Sequence, residues 1–229
     1  MEQRSILQPG TRRDAALTLA TIRERLSQHR PGRRRAPPGP AAETLPLAPR
    51  GDHDLNPDML PPAPLVPAAV LVPLVARDGA MTVLLTRRTA TMTSHGGQVS
   101  FPGGRIDPED ADAVAAALRE AEEEIGLAPR HVVPLGRLDT YVTRTGYEVA
   151  PVVGLVTPPF DLVMNPAEVA AIFEVPLAFF LDPANHRLGS RVYEGVLRYF
   201  YEMPWGEHYI WGATAGMLVN LAEVLGESE

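Results

Sequence analysis

The chain contains no cysteine. That excludes a disulfide framework, a cysteine-ligated zinc site and a thiol nucleophile, and it leaves the redox compartment unmarked. No run of about 18 uninterrupted apolar residues occurs, so no membrane span is expected. The N-terminus lacks a basic segment leading straight into an apolar core, the pattern of a secretory leader, and a cytoplasmic protein is the expectation. A basic excess is missing as well. With 21 Lys and Arg against 28 Asp and Glu, the formal charge of −7 offers no footprint for nucleic acid. An anionic ligand stays compatible with that balance wherever a cation or a few arginines reverse the local sign. No internal repeat is found.

The 229 residues, 45% of them hydrophobic, suffice for one good-sized globular domain and an appendage. Composition shifts once. Residues 13–29 carry an amphipathic pattern (Ala16, Leu17, Ala20, Ile22, Leu26) that reads as a short helix. From Pro31 to Pro67 proline is so frequent that neither helix nor sheet is expected to run through. The expectation is therefore an N-terminal helix and Pro-rich arm or linker over residues 1–65, followed by a domain over 66–229. Arg33, Arg34 and Arg35 read as a solvated charge run within the arm.

Beyond the arm, runs of strand length alternate with turn signals. Ala68 to Val75 and Met81 to Thr86 flank Arg77-Asp78-Gly79, and Val132 to Val142 and Tyr147 to Val156 flank Arg144-Thr145-Gly146. A short strand is expected through Phe173-Glu174-Val175, and a longer one over Val192 to Tyr201, where residues alternate. Ala213 to Leu225 has the period of a closing helix, with Met217, Leu218, Leu221 and Leu225 on one side. Trp205, Tyr209 and Trp211 read as packing residues rather than a stacking platform. Strands mixed with two substantial helices, one on each side of a central sheet, give an α/β class and an α/β/α sandwich.

Residues 103–127 are the most informative stretch: a Gly-Gly loop, one helix, and carboxylates crowded where the helix ends. Glu120, Glu123 and Glu124 stand at i, i+3 and i+4, so they share one helical face with Cβ atoms roughly 5–6 Å apart. Such crowding costs an isolated helix roughly 0.2–0.5 kcal/mol per pair, whereas a hard divalent cation turns it to advantage. Val114, Ala117, Leu118, Ala121, Ile125 and Leu127 form an apolar stripe on the other side. Gly126 is placed to stop the helix in a left-handed conformation, and Asp110 or Asp112 to cap its start. Metal ligands are expected from Glu120, Glu123 and Glu124, with the carbonyl of Gly103 or Gly104 beside them, and Glu122 lies off that face.

The stretch Arg119-Glu120-Ala121-Glu122-Glu123-Glu124-Ile125-Gly126-Leu127 resembles the core of the box that marks the Nudix hydrolase superfamily. One departure stands out. In the generic register Ala111 occupies the place of a glutamate, and Gly104 lies one residue too far from Arg119. Asp110 and Asp112 are the available substitutes. Upstream, residues 84–89 (Leu-Leu-Thr-Arg-Arg-Thr) and 95–104 (His-Gly-Gly-Gln-Val-Ser-Phe-Pro-Gly-Gly) resemble the signature of the coenzyme A pyrophosphatase branch, whose box tends to be one residue longer. The similarity extends over residues 66–225, through Thr145-Gly146-Tyr147 and Ile210-Trp211-Gly212.

The resemblance implies a Nudix-type α/β/α fold and Mg²⁺- or Mn²⁺-dependent hydrolysis of coenzyme A or acyl-CoA to 3′,5′-ADP and (acyl-)4′-phosphopantetheine. The alternatives are another nucleoside diphosphate derivative such as ADP-ribose, and a non-catalytic nucleotide sensor. Arg119 is expected to orient carboxylates through an ion pair. Glu168 is the candidate general base. It is also readable as the third residue of a helix capped by Asn165-Pro166, and a box glutamate or metal-bound hydroxide remains an alternative base. Arg87, Arg88, Arg105 and Arg144, with His95 and Gln98, are the candidate substrate contacts. The partner implied is a small nucleotide, with homodimerisation left open.

Overall fold

The computed structural model describes residues 17–32, 49–91 and 95–226. The expectations for residues 13–16, for Arg33 to Arg35 and for residues 33–48 of the Pro-rich stretch lie outside these. In chain order the elements are α1 (Leu19–Gln28), β1 (Arg50–Gly51), β2 (Val66–Arg77), β3 (Ala80–Arg88), β4 (Val99–Ser100), β5 (Gly103–Arg105) and α2 (Ala113–Ile125). There follow β6 (Val132–Arg137), β7 (Tyr141–Val142), β8 (Tyr147–Val156), β9 (Val169–Pro176), α3 (Leu177–Leu181), β10 (Arg187–Tyr193), β11 (Val196–Trp205), β12 (His208–Trp211) and α4 (Ala213–Gly226).

Among the described residues, β1 to β9 form one mixed sheet and β10 to β12 a smaller antiparallel one. The centre of the large sheet is the parallel pair β2 and β8, in register from Val66↔Tyr147 to Val75↔Val156. Nearly every position of β2 from Ala68 to Val75 is buried, as expected of a strand covered on both faces. On one face α2 packs through Ala116, Ala117, Ala121 and Ile125 onto Ala69, Leu71, Leu84 and Val152. On the other, α4 and α1 cover Val72, Leu74, Val83 and Val153. The result is the expected α/β/α sandwich, and none of its described helices is long and apolar enough to cross a membrane.

The observed strands differ from the expected ones where side-chain periodicity is blind. Val192 to Tyr201 is not one strand but the heart of a hairpin, with Tyr193 paired to Val196. Glu194 and Gly195 form its turn, both with positive φ, and a two-residue turn leaves the alternation of its arms looking continuous. Val132 to Val142 breaks into β6 and β7 at residues 138–140, where Asp139 is buried; within β6 the ladder also slips between Pro134 and Gly136. The expected short strand around Glu174 extends over all of β9, which pairs with β3 along its length. Pro31 to Pro67 was expected to exclude sheet, yet Arg50 and Gly51 pair with Tyr141 and Val142, and β2 runs through Pro67. Position 67 tolerates proline because its carbonyl, not an N–H, makes the outer bond, to Ile106.

A buried polar knot ties the N-terminal elements to α4. Asp139, 3% exposed, accepts from Arg50 Nε at 2.9 Å, the Gly32 amide at 2.9 Å and Asn220 Nδ2 at 3.2 Å, and His29 Nε2 lies 3.2 Å away. Its own amide donates to Asn220 Oδ1. Ile22 and Leu26 of α1 are buried beside it. Removing one member of such a knot leaves the rest desolvated and unpaired. Asp139→Ala is therefore expected to cost about 2–4 kcal/mol, measured by denaturant unfolding. Amide exchange should accelerate first in α1. A change below about 0.5 kcal/mol, the size of an ordinary surface substitution, would refute the assignment.

Candidate functional site

The helix α2 begins at Asp112, whose carboxylate accepts from the Val114 and Ala115 amides, and ends at Gly126, which is left-handed at φ 68°. Its inward residues are mostly alanine, so its axis comes close to β5. Gly104 shows how close: a methyl group there would lie 2.5 Å from Glu120 Oε1. Only a residue without Cβ leaves room for the carboxylate, which is the physical need behind that glycine.

Arg119 organises this end of the site. Its Nε and Nη2 donate to both oxygens of Asp110, at 3.0 and 2.8 Å. Nη1 donates to Glu120 Oε1 at 3.0 Å and Glu123 Oε2 at 3.1 Å, while Nη2 also reaches the Arg105 carbonyl at 3.1 Å. Arg119 thus hydrogen-bonds three carboxylates at once, and Asp107 Oδ2 lies 3.5 Å from its Nη2. The two substitutes for the missing box glutamate divide the work: Asp112 caps the helix, and Asp110 grips Arg119. That grip holds the Asp110 carboxyl below its usual range and raises the arginine further above its own.

Glu124 sits deeper, at 2% exposure. Arg88 Nη1 lies 3.6 Å from its Oε1, and its Oε2 is buried without a hydrogen-bond partner. Burial pushes its pKa up to about 7 against the pull of Arg88, and the negative charges of Glu168 and Glu120 add to the rise. The Gly103 amide pulls weakly the other way. Glu120 is raised too, first by burial, with Arg119 opposing and Glu123 and Glu168 contributing. Glu168 therefore faces the same centre. It stands in the turn just before β9, where Asn165 Nδ2 donates to its Oε1 at 3.1 Å and Asn165 Oδ1 accepts the Ala167 amide. The Asn165-Pro166 segment caps no helix; it makes a turn into the strand.

Among the described residues, no three acidic or imidazole groups are gathered into a ready-made cation cage. Arg119 draws Glu123 outward, where its side chain is 56% exposed, and holds Glu120 toward itself. Glu120, Glu124 and Glu168 nonetheless repel one another across a partly dry space, and Glu124 carries an unpartnered oxygen. Both features are what a divalent cation would relieve, so the donor set fits such an ion.

The upstream signature lies alongside. The Arg88 amide donates to the Gln98 carbonyl at 2.9 Å, and Thr86 pairs with Ser100. His95, with φ 59°, places Nδ1 3.1 Å from Gln98 Oε1 on the surface. It is not the buried histidine of an ordinary core. Arg87 lies on the same strand as Arg88. Arg105 and Arg144 lie apart from the carboxylates, around Tyr147 and Tyr193. The role of Asp110 in clamping Arg119 is the contact that spacing alone left undivided from Asp112.

Residues 65–191 match the family model described as NUDIX domain. A protein named Nudix hydrolase NudL, called uncharacterized, from Photorhabdus laumondii subsp. laumondii is 45% identical over 156 residues, covering 68% of this chain and 83% of that one. Its namesake in Escherichia coli K12 is 43% identical over 160 residues, covering 69% and 82%. Among solved structures, a Nudix hydrolase from Alicyclobacillus acidocaldarius aligns at a TM-score of 0.45 with 21% identity, over 70% of this chain and 92% of that one. An Ap4A hydrolase of C. elegans aligns at 0.43 with 22% identity, over 48% and 80%.

The buried Glu124 makes stability depend on pH. Its folded pKa of about 7 exceeds the value of 4.5 expected when exposed, so the folded chain holds more protons between those values. The contribution is full below pH about 4.5 and is lost as pH rises through 7. In EDTA, wild-type protein is expected to lose up to about 3 kcal/mol more between pH 5 and 8 than Glu124→Gln, read by chemical denaturation. Parallel pH curves for the two would refute the burial of an ionisable Glu124.

Proposed function

The chain belongs to the NUDIX domain family and is a Nudix hydrolase, and on that premise we propose that it cleaves the phosphoanhydride of coenzyme A or acyl-CoA, releasing 3′,5′-ADP and (acyl-)4′-phosphopantetheine with Mg²⁺ or Mn²⁺. One observation carries the reading. The upstream signature and the box meet at a single carboxylate: Arg88 lies 3.6 Å from Glu124, and the Gly103 amide at the end of the signature faces the same group.

Glu120, Glu123 and Glu124, with the Gly104 carbonyl, would hold the cation. When bound, such an ion lowers the pKa of a water molecule and neutralises the diphosphate oxygens. Arg119 keeps the box carboxylates and the β5 backbone in one frame through its bonds to Asp110, Glu120, Glu123 and the Arg105 carbonyl. Glu168, oriented by Asn165, takes the proton from the attacking water. Arg87, Arg88, His95 and Gln98 supply the donors nearest the diphosphate, and Arg105 and Arg144 supply further positive charge.

Glu120→Gln and Glu124→Gln are expected to lower kcat by about 10²-fold or more, and Glu168→Gln by about 10²–10⁴-fold with KM nearly constant. Circular dichroism should stay that of the wild type. Substrate choice is read by product chromatography with Mg²⁺ or Mn²⁺ on coenzyme A, acyl-CoA, ADP-ribose and dinucleotides. Turnover of ADP-ribose equal to or faster than that of coenzyme A would overturn the substrate assignment, and unimpaired Glu124→Gln would overturn the site.

A further inference from the structure

The hairpin of β10 and β11 runs out past the body of the protein with one of its sides bare. Residues directly opposite in the two strands share a side, and successive residues alternate. The register Leu188↔Tyr201, Ser190↔Tyr199 and Val192↔Leu197 therefore gathers those six side chains on one side. Further along that side Met203 and Ile210 face each other, fully buried, and Tyr201 packs against the core. Beyond Tyr201 the cover ends: Leu188, Val192, Leu197 and Tyr199 are 58, 64, 48 and 42% exposed. The same stretch of this side carries no charge, because Arg187, Arg191, Arg198 and Glu202 all stand on the other.

The hairpin is held in place from its edge and from its charged side. The Asn56 side chain acts as a short strand along the outer edge of β11. Its Nδ2 donates to the Tyr199 carbonyl at 2.8 Å, and its Oδ1 accepts the Tyr199 amide at 2.9 Å. On the charged side Arg198 donates to Asp58, and the Tyr193 ring takes the Arg144 guanidinium at 4.4 Å. Phe200 lies so close over Gly189 that a methyl group there would meet its ring at 2.7 Å. None of these contacts lies on the apolar side. A two-stranded ribbon is marginal in water by itself, and the apolar face of an antiparallel sheet is normally packed.

We propose that this side is covered by the same side of a second copy of the chain, in a two-fold dimer. A two-fold contact lays a patch on itself, so any charge in it would meet its like. Here there is none to meet or to desolvate. The polar groups of the patch are the Ser190 and Tyr199 hydroxyls, opposite each other across the strands. A hydroxyl donates and accepts, so each can bond its counterparts in the partner. An acidic or basic partner would find no charge there to pair with.

The area agrees. Tyr193 and Val196 at the tip are 43% and 45% exposed and extend the patch. With about 150–250 Å² for a large side chain, the six residues present on the order of 500 Å² per copy. Two copies then bury about 1,000 Å², the size at which a specific interface begins. Arg191 and Arg198 stay in water on the outer side.

The absence of cysteine makes the contact directly readable. Wild-type protein at micromolar concentration is expected to sediment as a dimer. Val192→Glu and Leu197→Glu should each raise the dissociation constant about 100-fold or more, with circular dichroism unchanged. Ser190→Cys should be joined into a covalent dimer by a short bismaleimide, and Arg191→Cys, one residue along on the charged side, should not. A monomeric wild type overturns the proposal and leaves the patch to a partner other than this chain. A dimer that both glutamate variants leave intact overturns it too. Should those variants fail to fold, equal cross-linking from the two cysteine positions overturns it.

Discussion

A helix whose inward face is alanine can lie closer to a sheet than one faced with leucine, and α2 uses Ala116, Ala117 and Ala121 in this way. The closeness has an electrostatic consequence. Residues one turn further along the same helix are glutamates, so they arrive at β5 already pressed against backbone. Glu120 fills the space that a Gly104 side chain would need, and Glu124 is sealed from water with one oxygen unpartnered. Desolvating a carboxylate opposes its charge, and Arg88 at 3.6 Å compensates only in part. The remaining arrangement of the site answers to that concentrated negative charge.

Arginine is the means by which this acidic protein manages it. Arg119 gathers Asp110, Glu120 and Glu123 in one planar fork, a geometry that an ammonium group does not reproduce. Elsewhere the same side chain does different work. Arg50 closes a buried knot around Asp139, joining the N-terminal elements to α4 on the far side of the sheet. Arg105 and Arg144 are steadied by rings and left unpaired. An ion pair satisfies a guanidinium, whereas an aromatic face positions it and leaves its N–H donors available. A chain with net charge −7 thus presents cationic groups locally without being cationic overall.

The two faces of the sheet have different tasks. The α2 face carries the carboxylates, and the opposite face carries the larger apolar core, with α1, α3 and α4. β2 and β5 connect them, since alternate residues of a strand serve alternate faces. Gly104 belongs to the face that meets Glu120, and Arg105 to the other.

Periodicity and spacing by themselves determined the class of element along the chain, the closing helix α4, the left-handed stop at Gly126, a cap at Asp110 or Asp112 and the crowding of Glu120, Glu123 and Glu124. The helices, the stop and the crowding depend on contacts within a few residues, where local geometry is nearly fixed by sequence. Tertiary structure alone decided which of those glutamates is buried, that Asp110 rather than Asp112 clamps Arg119, and that Glu168 faces Glu120 and Glu124 from a turn more than forty positions away. It also decided that Val192 to Tyr201 folds back at Glu194-Gly195 and that Asp139 leaves the β6 to β7 run to enter a buried knot. Desolvation and pairing of charge depend on what other parts of the chain bring alongside, and that neighbourhood is set only when the helix meets the sheet.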